Sequence, residues 1–326
     1  MDKKASGVKR EKARSVAAVK KSSGGNQDPP RSSGVSEAER AELEEESGGV
    51  QFSHLERVVF PESGLTKGDV LEFYAHVSVK LLPHLKDRPI TVERFPEGVG
   101  KGVPAFWQKN TPAYYPKWIP RAKLKSEDGR PVEYALINDL RALLYIVNQN
   151  ALTFHVWFSR IKDPDHPDFV LFDVDPHQST FANAVTVAKT LHVMLDDEGV
   201  ENFVKTTGKT GLHVMTPWDK KRGGYEQARN WAAQIASRAA GELPKIATVE
   251  RMINKRGNRV YVDAMQNAKG KHAVPPYVLR ATPTGTVSMP LEWRELNAKL
   301  SPAKFDLKTA LKQIARWKKD PWAALL

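Results

Sequence analysis

Apolar and polar positions recur along this chain with two periods. From Val70 onward the apolar side chains fall at Val70, Phe73, Tyr74, Val77 and Leu81, the spacing of one helix face. Thr66 stands as N-cap with Asp69 three residues on, and Pro83 is expected to close a helix over 65–85. The same spacing predicts helices over 135–150, 182–198 with Gly199 as C-cap, and 225–240, and a basic, Trp-bearing helix over 306–326. Period-two or continuous apolar runs predict strands over 88–95, 153–159, 169–175, 203–206, 212–216 and 259–265. Helices and strands mix without strict alternation, so the expected class is α+β, with mixed β-sheets flanked by helices.

The first fifty residues break this pattern. They are rich in Lys, Ser, Gly and Glu and hold no aromatic residue, so they cannot bury enough apolar surface to offset ordering entropy. Residues 1–50 are expected to be a disordered charged tail and 51–326 the folded domain. Within the tail, Ser36–Ser47 has the makings of a short helix, with Ser36 as N-cap and Glu39 at the capping-box position. The chain has 326 residues, 40% of them hydrophobic, enough for a sizeable core. There is no run of about 18 apolar residues to span a membrane. The charged N-terminus does not read as a secretory signal. With no cysteine, disulfides, thiolate metal sites and cysteine nucleophiles are excluded.

Net charge is +12. In residues 1–21 eight Lys/Arg oppose Asp2 and Glu11, and in residues 22–50 Arg31 and Arg40 oppose seven acids, which leaves +11 on residues 51–326. The basic character belongs to the folded body and points to a polyanionic partner, nucleic acid before membrane.

The strand FVLFDVDP places Asp173 and Asp175 on one face, since residues two apart on a strand share a face. Asp263 ends a second apolar strand, RVYVDAMQ. If the two strands are neighbours, three carboxylates converge, a donor set for Mg2+ or Mn2+ in phosphoryl or nucleotidyl transfer. The bland alternative is that strand-end aspartates cap turns, as Asp-Pro does. The stretch KTTGKTGLH lacks the upstream glycine of a P-loop, because that position is Phe203. It remains a tight turn with backbone donors, Thr207, Gly208, Lys209 and His213, which suits phosphate, or else a plain hairpin. Cations of RMINKRGNR and of AKGKHAVPPYVLR (Lys269, Lys271, His272, Arg280) flank the strand of Asp263. In AFWQK, Phe106 and Trp107 stand beside Lys109, as base-stacking aromatics or as core anchors.

FVLFDVDP, KTTGKTGLH, RVYVDAMQNAKGK and PPYVLRATPTGTVSMPLEW, in this order, resemble the polymerase domain of bacterial ligase D, a member of the archaeo-eukaryotic primase superfamily that works in non-homologous end joining. The resemblance runs from about residue 52 to about 300 and implies a primase-like catalytic core. It implies that Asp173, Asp175 and Asp263 bind two Mn2+ or Mg2+ ions and are catalytic. It assigns Thr207, Gly208, Lys209, His213, Lys271 and Arg280 to the nucleotide. It gives Arg57 and Lys67 to a DNA 5′-phosphate and Phe106 and Trp107 to the template, and puts His155 near the active site. The family turn is S-G-x-K-G-L-H. Here Thr207 replaces Ser and keeps the hydroxyl, while Thr210 stands where Lys is usual and Lys209 is displaced by one.

The implied activity is a DNA-dependent nucleotidyltransferase that extends a primer 3′-hydroxyl at gaps or aligned breaks. Its implied partners are gapped or broken duplex DNA, nucleoside triphosphates, a separate DNA ligase and a Ku-type end-binding protein, with no membrane. The expected location is the cytoplasm, at the nucleoid. Nothing after Leu296 resembles a ligase, so a stand-alone polymerase is expected. From the residues alone, a metal-dependent nuclease or phosphodiesterase and a non-catalytic DNA-end-binding module stay open.

Overall fold

The computed structural model of the chain describes residues 35–126 and 128–325. Its α-helices are Glu37–Glu46 (α1), Lys67–Leu85 (α2), Leu140–Asn148 (α3), Phe181–Asp197 (α4), Tyr225–Glu242 (α5), Ile253–Arg256 (α6) and Leu307–Ile314 (α7). The strands begin with Val58–Phe60 (β1), Leu65–Thr66 (β2), Ile90–Arg94 (β3), Phe106–Gln108 (β4), Arg121–Lys125 (β5), Pro131–Ala135 (β6), Ala151–Trp157 (β7) and Phe169–Asp175 (β8). They continue with Phe203–Thr206 (β9), Leu212–Pro217 (β10), Ala247–Thr248 (β11), Val260–Asp263 (β12), His272–Ala273 (β13), Leu279–Arg280 (β14), Thr286–Val287 (β15) and Pro290–Leu291 (β16).

Two sheets carry the architecture. One has six strands in the order β11-β12-β8-β10-β9-β16 and the other four in the order β13-β7-β3-β4. Neighbours are antiparallel except β11 and β12, so the larger sheet is mixed and the class is α+β, as expected.

Strand β8 shows how sequence sets the layers. Val170, Phe172 and Val174 point to one face and join the main core with Ala184, Leu191 and Ile235 of α4 and α5. Each such side chain contributes about 1.5–3 kcal/mol on burial. Phe169 and Leu171 point to the other face, into a smaller cluster with Phe203, Met215 and Trp322. That second face ends in Asp173 and Asp175. Helix α2 begins as its sequence requires: the Asp69 N–H donates to Thr66 Oγ1 at 3.2 Å, and the Thr66 N–H to Asp69 Oδ2 at 2.7 Å. Buried Tyr74 then ties it to the sheets, donating to Leu152 O at 2.5 Å and accepting from the Leu279 N–H at 3.1 Å.

Four expectations are corrected. Pro83 lies inside α2, which runs on to Leu85. The carbonyl that Pro83 leaves unbonded belongs to Val79, on the most solvent-exposed face of the helix. The helix expected over 135–150 begins only at Leu140, because Ala135 pairs with Arg121 in a hairpin and the Asp139 side chain caps Ala142 N–H. The C-terminal helix expected over 306–326 stops at Ile314. Pro321 disfavours helix at Asp320, and Trp322 turns inward, fully buried, with its Nε1–H donating to Val204 O at 3.1 Å. The tail boundary also moves. Helix α1 forms with the expected Ser36–Glu39 capping box, buries Leu43 and is tied down by an Arg40–Phe52 O bond of 2.8 Å. Residues 1–34 of the expected tail lie outside the described residues.

His84 yields a stability test. It is buried at the end of α2 against the rings of Tyr277 and Trp322, and burial, then Arg88, pushes its pKa down to about 3. The unfolded chain takes up a proton near pH 6.5 that the folded one refuses. The stability this residue confers is therefore complete above that pH and lost as pH falls towards 3. Urea unfolding at pH 5.5 should give a stability about 1 kcal/mol below that at pH 7.5 from this residue, a component that His84→Leu should remove.

Candidate active site

Backbone pairing builds the site. Strand β8 runs between β12 and β10, with Asp173 directly opposite Asp263 on one side and His213 on the other. On β9, Lys205 lies opposite His213. Directly opposed residues share a face, so Asp263, Asp173, His213 and Lys205 form one transverse row. Asp175, two residues along β8, shares that face. The pairing thus brings together the three acids singled out in the sequence.

The capping reading of the strand-end acids holds for two of the three. Asp175 accepts from the His177 N–H at 3.0 Å, and Asp263 from the Met265 N–H at 2.7 Å, so each caps its own turn. Asp173 has no such bond among the described residues, and its Oδ1 stands 3.6 Å from His213 Nε2. Burial, then Asp263 and Asp175, push the Asp173 carboxyl up to about 7, against Lys205 and Arg280. Its side chain is 30% open to solvent, which moderates that rise. Among the described residues no three His, Asp or Glu side chains close into a ready ligand cage. The donor set is nonetheless all carboxylate, as hard divalent cations require.

Asn267 locks the geometry. It is buried past the end of β12 and replaces a strand there: its Oδ1 accepts from the Leu171 N–H at 2.8 Å and its Nδ2 donates to Leu171 O at 2.7 Å. Sequence reasoning passed over this residue, although a polar side chain two positions beyond a strand-end turn was the available signal.

An open pocket of about 320 Å³ lies between the sheets, with Asp173, Asp175 and His213 on one wall, His155 and His272 on the other, and Arg280 among its lining residues. The Thr207–Gly211 turn forms its rim. Thr207 Oγ1 braces the turn by accepting from the Lys209 and Gly211 N–H groups, both at 3.2 Å. Arg280 Nη1 donates to Thr207 O at 2.6 Å, and its buried Nε has no partner among the described residues. Gly208 adopts φ +72°, and a Cβ at Gly211 would lie 2.5 Å from Val174 O. Lys209 and Thr210 both line the pocket, so the one-residue displacement does not carry Lys209 away. Burial, then Arg280, hold its amine below the ordinary range.

The opposite wall was less visible in the sequence. Buried Glu93 stands 3.5 Å from His155 Nε2, and the ring of Trp107 lies 4.6 Å from that of His155 and 5.8 Å from that of His272. Burial pushes His155 down to about 4, against Glu93, and burial with His155 pushes His272 down to about 3. His272, counted in the sequence among the flanking cations, is therefore neutral. A charge alternating with Thr91 on an apolar strand was the signal for Glu93. Phe106 and Trp107, both assigned to the template by the resemblance, point to opposite faces of β4. Trp107 lies against His155 and His272, whereas Phe106 lies under Arg94, whose guanidinium is 5.3 Å from its ring centre and donates to Tyr114 OH at 2.8 Å.

The remaining expected residues lie off the pocket lining. The Lys67 N–H donates to Arg57 O, and buried Lys67 donates through Nζ to Ser53 O at 2.8 Å. Burial and the Arg57 charge bring Lys67 down to about 8. Arg57 reaches Glu97 at 3.3 Å. Lys271 is half-buried beside His272, at the end of a turn closed by its N–H to Ala268 O at 3.0 Å.

Comparison with known proteins places this geometry. The family described as "LigD, primase-polymerase domain" matches residues 66–322. The chain is 34% identical over 268 residues to the "Bifunctional non-homologous end joining protein LigD" of Bacillus subtilis, covering 82% of this chain and 43% of that protein. It is 32% identical over 260 residues to the "Multifunctional non-homologous end joining DNA repair protein LigD" of Mycobacterium tuberculosis, covering 76% and 33%. It thus spans less than half the length of either relative. Among solved structures it is similar to the "Polymerase Domain from Mycobacterium tuberculosis Ligase D in complex with DNA", with a TM-score of 0.78 at 30% identity, covering 85% of this chain and 97% of that one.

Asn267→Ala leaves both backbone groups of Leu171 without side-chain partners and should lower the unfolding free energy by about 2–4 kcal/mol in urea titrations. Gly211→Ala should cost about 1–3 kcal/mol, because the obstacle to its Cβ is backbone that cannot swing aside.

Proposed function

The chain belongs to the LigD primase-polymerase domain family, and from that membership we propose that it is a DNA-dependent nucleotidyltransferase of DNA repair. It extends a primer 3′-hydroxyl at a gap or at aligned broken ends with nucleoside triphosphates, in non-homologous end joining or gap filling. One observation carries this reading: Asp173 and Asp175, the first of them paired with Asp263 of the neighbouring strand, open on the same pocket as a cation-bearing, glycine-built turn.

Asp173, Asp175 and Asp263 are the residues that would hold divalent metal. Mn2+ or Mg2+ bound there would lower the pKa of the 3′-hydroxyl and neutralise charge developing on the α-phosphate. The rest falls to the chain itself. Arg280 and Lys209 meet the β- and γ-phosphates, helped by the Thr207 hydroxyl, whose hydrogen is free of the two bonds its oxygen accepts. Lys271 adds positive charge at the pocket edge. His213, held neutral by burial, donates to a phosphate oxygen or to Asp173 without adding charge.

Arg57 and Lys67 take the 5′-phosphate at the far side of a gap. Lys67, buried against a carbonyl beside the Arg57 charge, has no carboxylate within ion-pair distance among the described residues, which supports that role. Trp107 and Phe106 meet the template. The related domain solved in complex with DNA supports a DNA partner. The reaction ends in a nick, so a DNA ligase must follow, and a Ku-type protein that holds ends together is the other partner this chemistry calls for. The place of work is the nucleoid.

Primer extension on 5′-phosphorylated gapped duplex tests the reading, with Mg2+ against Mn2+ and ribo- against deoxyribonucleotides. Incorporation should require divalent metal and fall more than about 100-fold in Asp173→Ala, while the binding of gapped DNA stays within about 3-fold. Unchanged extension by Asp173→Ala would sink the assignment. Release of nucleotides from labelled DNA without added triphosphates would point to a nuclease. Tight DNA binding with no incorporation in either metal would point to an end-binding module.

A further inference from the structure

Lys205 is the member of the transverse row that none of these roles uses. It sits on β9, completely buried, between His213 on β10 and Pro290 on β16. Its Nζ donates to Ser288 Oγ at 2.6 Å and reaches Thr206 O at 3.5 Å. Among the described residues no carboxylate lies within ion-pair distance of it. A sealed amine with only a hydroxyl and a carbonyl as partners costs the fold stability, most of all when charged. An unbranched apolar side chain of similar length would fill the space without that cost.

Its surroundings indicate what offsets the cost. Ser288, which holds Nζ, also donates through Oγ to Thr206 O at 3.2 Å, and its backbone N packs within 2.9 Å of where a Gly208 Cβ would stand. The amine is therefore fastened to the underside of the Thr207–Gly211 turn. Arg280, which supports the same turn through Thr207 O, is the other buried cation here. Lys205 and Arg280 together pull the Asp173 carboxyl back towards ionisation. Burial, then Arg280, hold the Lys205 amine well below its ordinary range, and Asp173 opposes them. Negative charge arriving in the pocket shifts that balance towards the ammonium form.

We propose that Lys205 is a positioning residue for polyphosphate: from beneath the turn, without touching the ligand, it supplies positive potential that holds a triphosphate close to three carboxylates. The proposal rests on the nucleotidyltransferase reading for the identity of the ligand. It explains why the row of polar side chains continues one strand beyond His213, into a region with no solvent. It also separates two tasks: the acids attract cations, and the buried amine keeps their field from expelling phosphate.

The test is Lys205→Met in the full chain. Its urea midpoint should equal or exceed that of the parent. With EDTA present, its affinity for inorganic tripolyphosphate should fall about 10-fold or more. In steady-state extension the nucleotide KM should rise by a similar factor, with the KM for gapped DNA unchanged. A merely structural lysine would instead lower the midpoint and leave tripolyphosphate binding alone. Ser288→Ala keeps the amine but frees it, and should weaken tripolyphosphate about 3-fold. Tripolyphosphate binding by Lys205→Met at the parent's affinity overturns the proposal. Should Lys205→Met not fold, unchanged binding by Ser288→Ala overturns it and weakened binding supports it. A parent that binds tripolyphosphate through Lys205 yet incorporates no nucleotide would remove the polymerase reading and leave the role of Lys205 standing.

Discussion

The register between four strands is the constraint on which the rest depends. Asp263, Asp173, His213 and Lys205 meet on one face only because β12, β8, β10 and β9 pair as they do. The side-chain period of a strand is two, so a slip of one residue would turn Asp173 into the core occupied by Phe172 and Val174. That core fixes the register. Val170, Phe172 and Val174 are buried against α4 and α5, and a slipped strand would exchange them for carboxylates. The hydrophobic face and the polar row are two consequences of one alignment. Asn267 extends the alignment past the end of β12 by giving Leu171 the backbone partners that a longer strand would have given it.

Charge within the pocket is arranged by keeping some groups neutral. Asp173 and Asp175 line one side, with Asp263 beside Asp173 on the next strand, and Arg280 and the exposed Lys209 stand at the turn. The imidazoles between them, His155, His213 and His272, are all pushed towards the neutral form, with burial the largest cause in each. They fill space and offer hydrogen bonds without adding to the field. What remains is an acidic wall next to a turn that carries Arg280 and Lys209, the arrangement that cations and phosphates need if they are to be held side by side.

Much of this was legible in the sequence, and the rest was hidden for identifiable reasons. FVLFDVD and FVKT gave strands β8 and β9 with their observed bounds, and Thr66 with Asp69 gave the start of α2. Spacing put Asp173 and Asp175 on one face, but only the ladder could bring Asp263 across to them. The errors arose where tertiary contacts overrode local pattern. ALIND has the apolar spacing of a helix, yet its first residue closes a hairpin with Arg121. The last residues keep a helical spacing, yet Trp322 is worth more buried beneath β9 than along a helix. Lys205 and Lys209 look equivalent in KTTGKTGLH, and only the fold shows one sealed and the other facing the pocket. Glu93 stayed unseen because a single acid in ITVER is also what an ordinary edge strand carries.

Strand β4 is the outer strand of its sheet, and its two neighbouring aromatic rings project from opposite sides of it. No flat molecule can lie across both rings, since the thickness of the backbone separates them. A flexible polymer that engaged Trp107 inside and Phe106 outside would have to hook over the rim of the sheet, with its sharpest bend at that strand. The rim would then act as a fulcrum: it would fix where a bound strand changes direction, whatever its sequence.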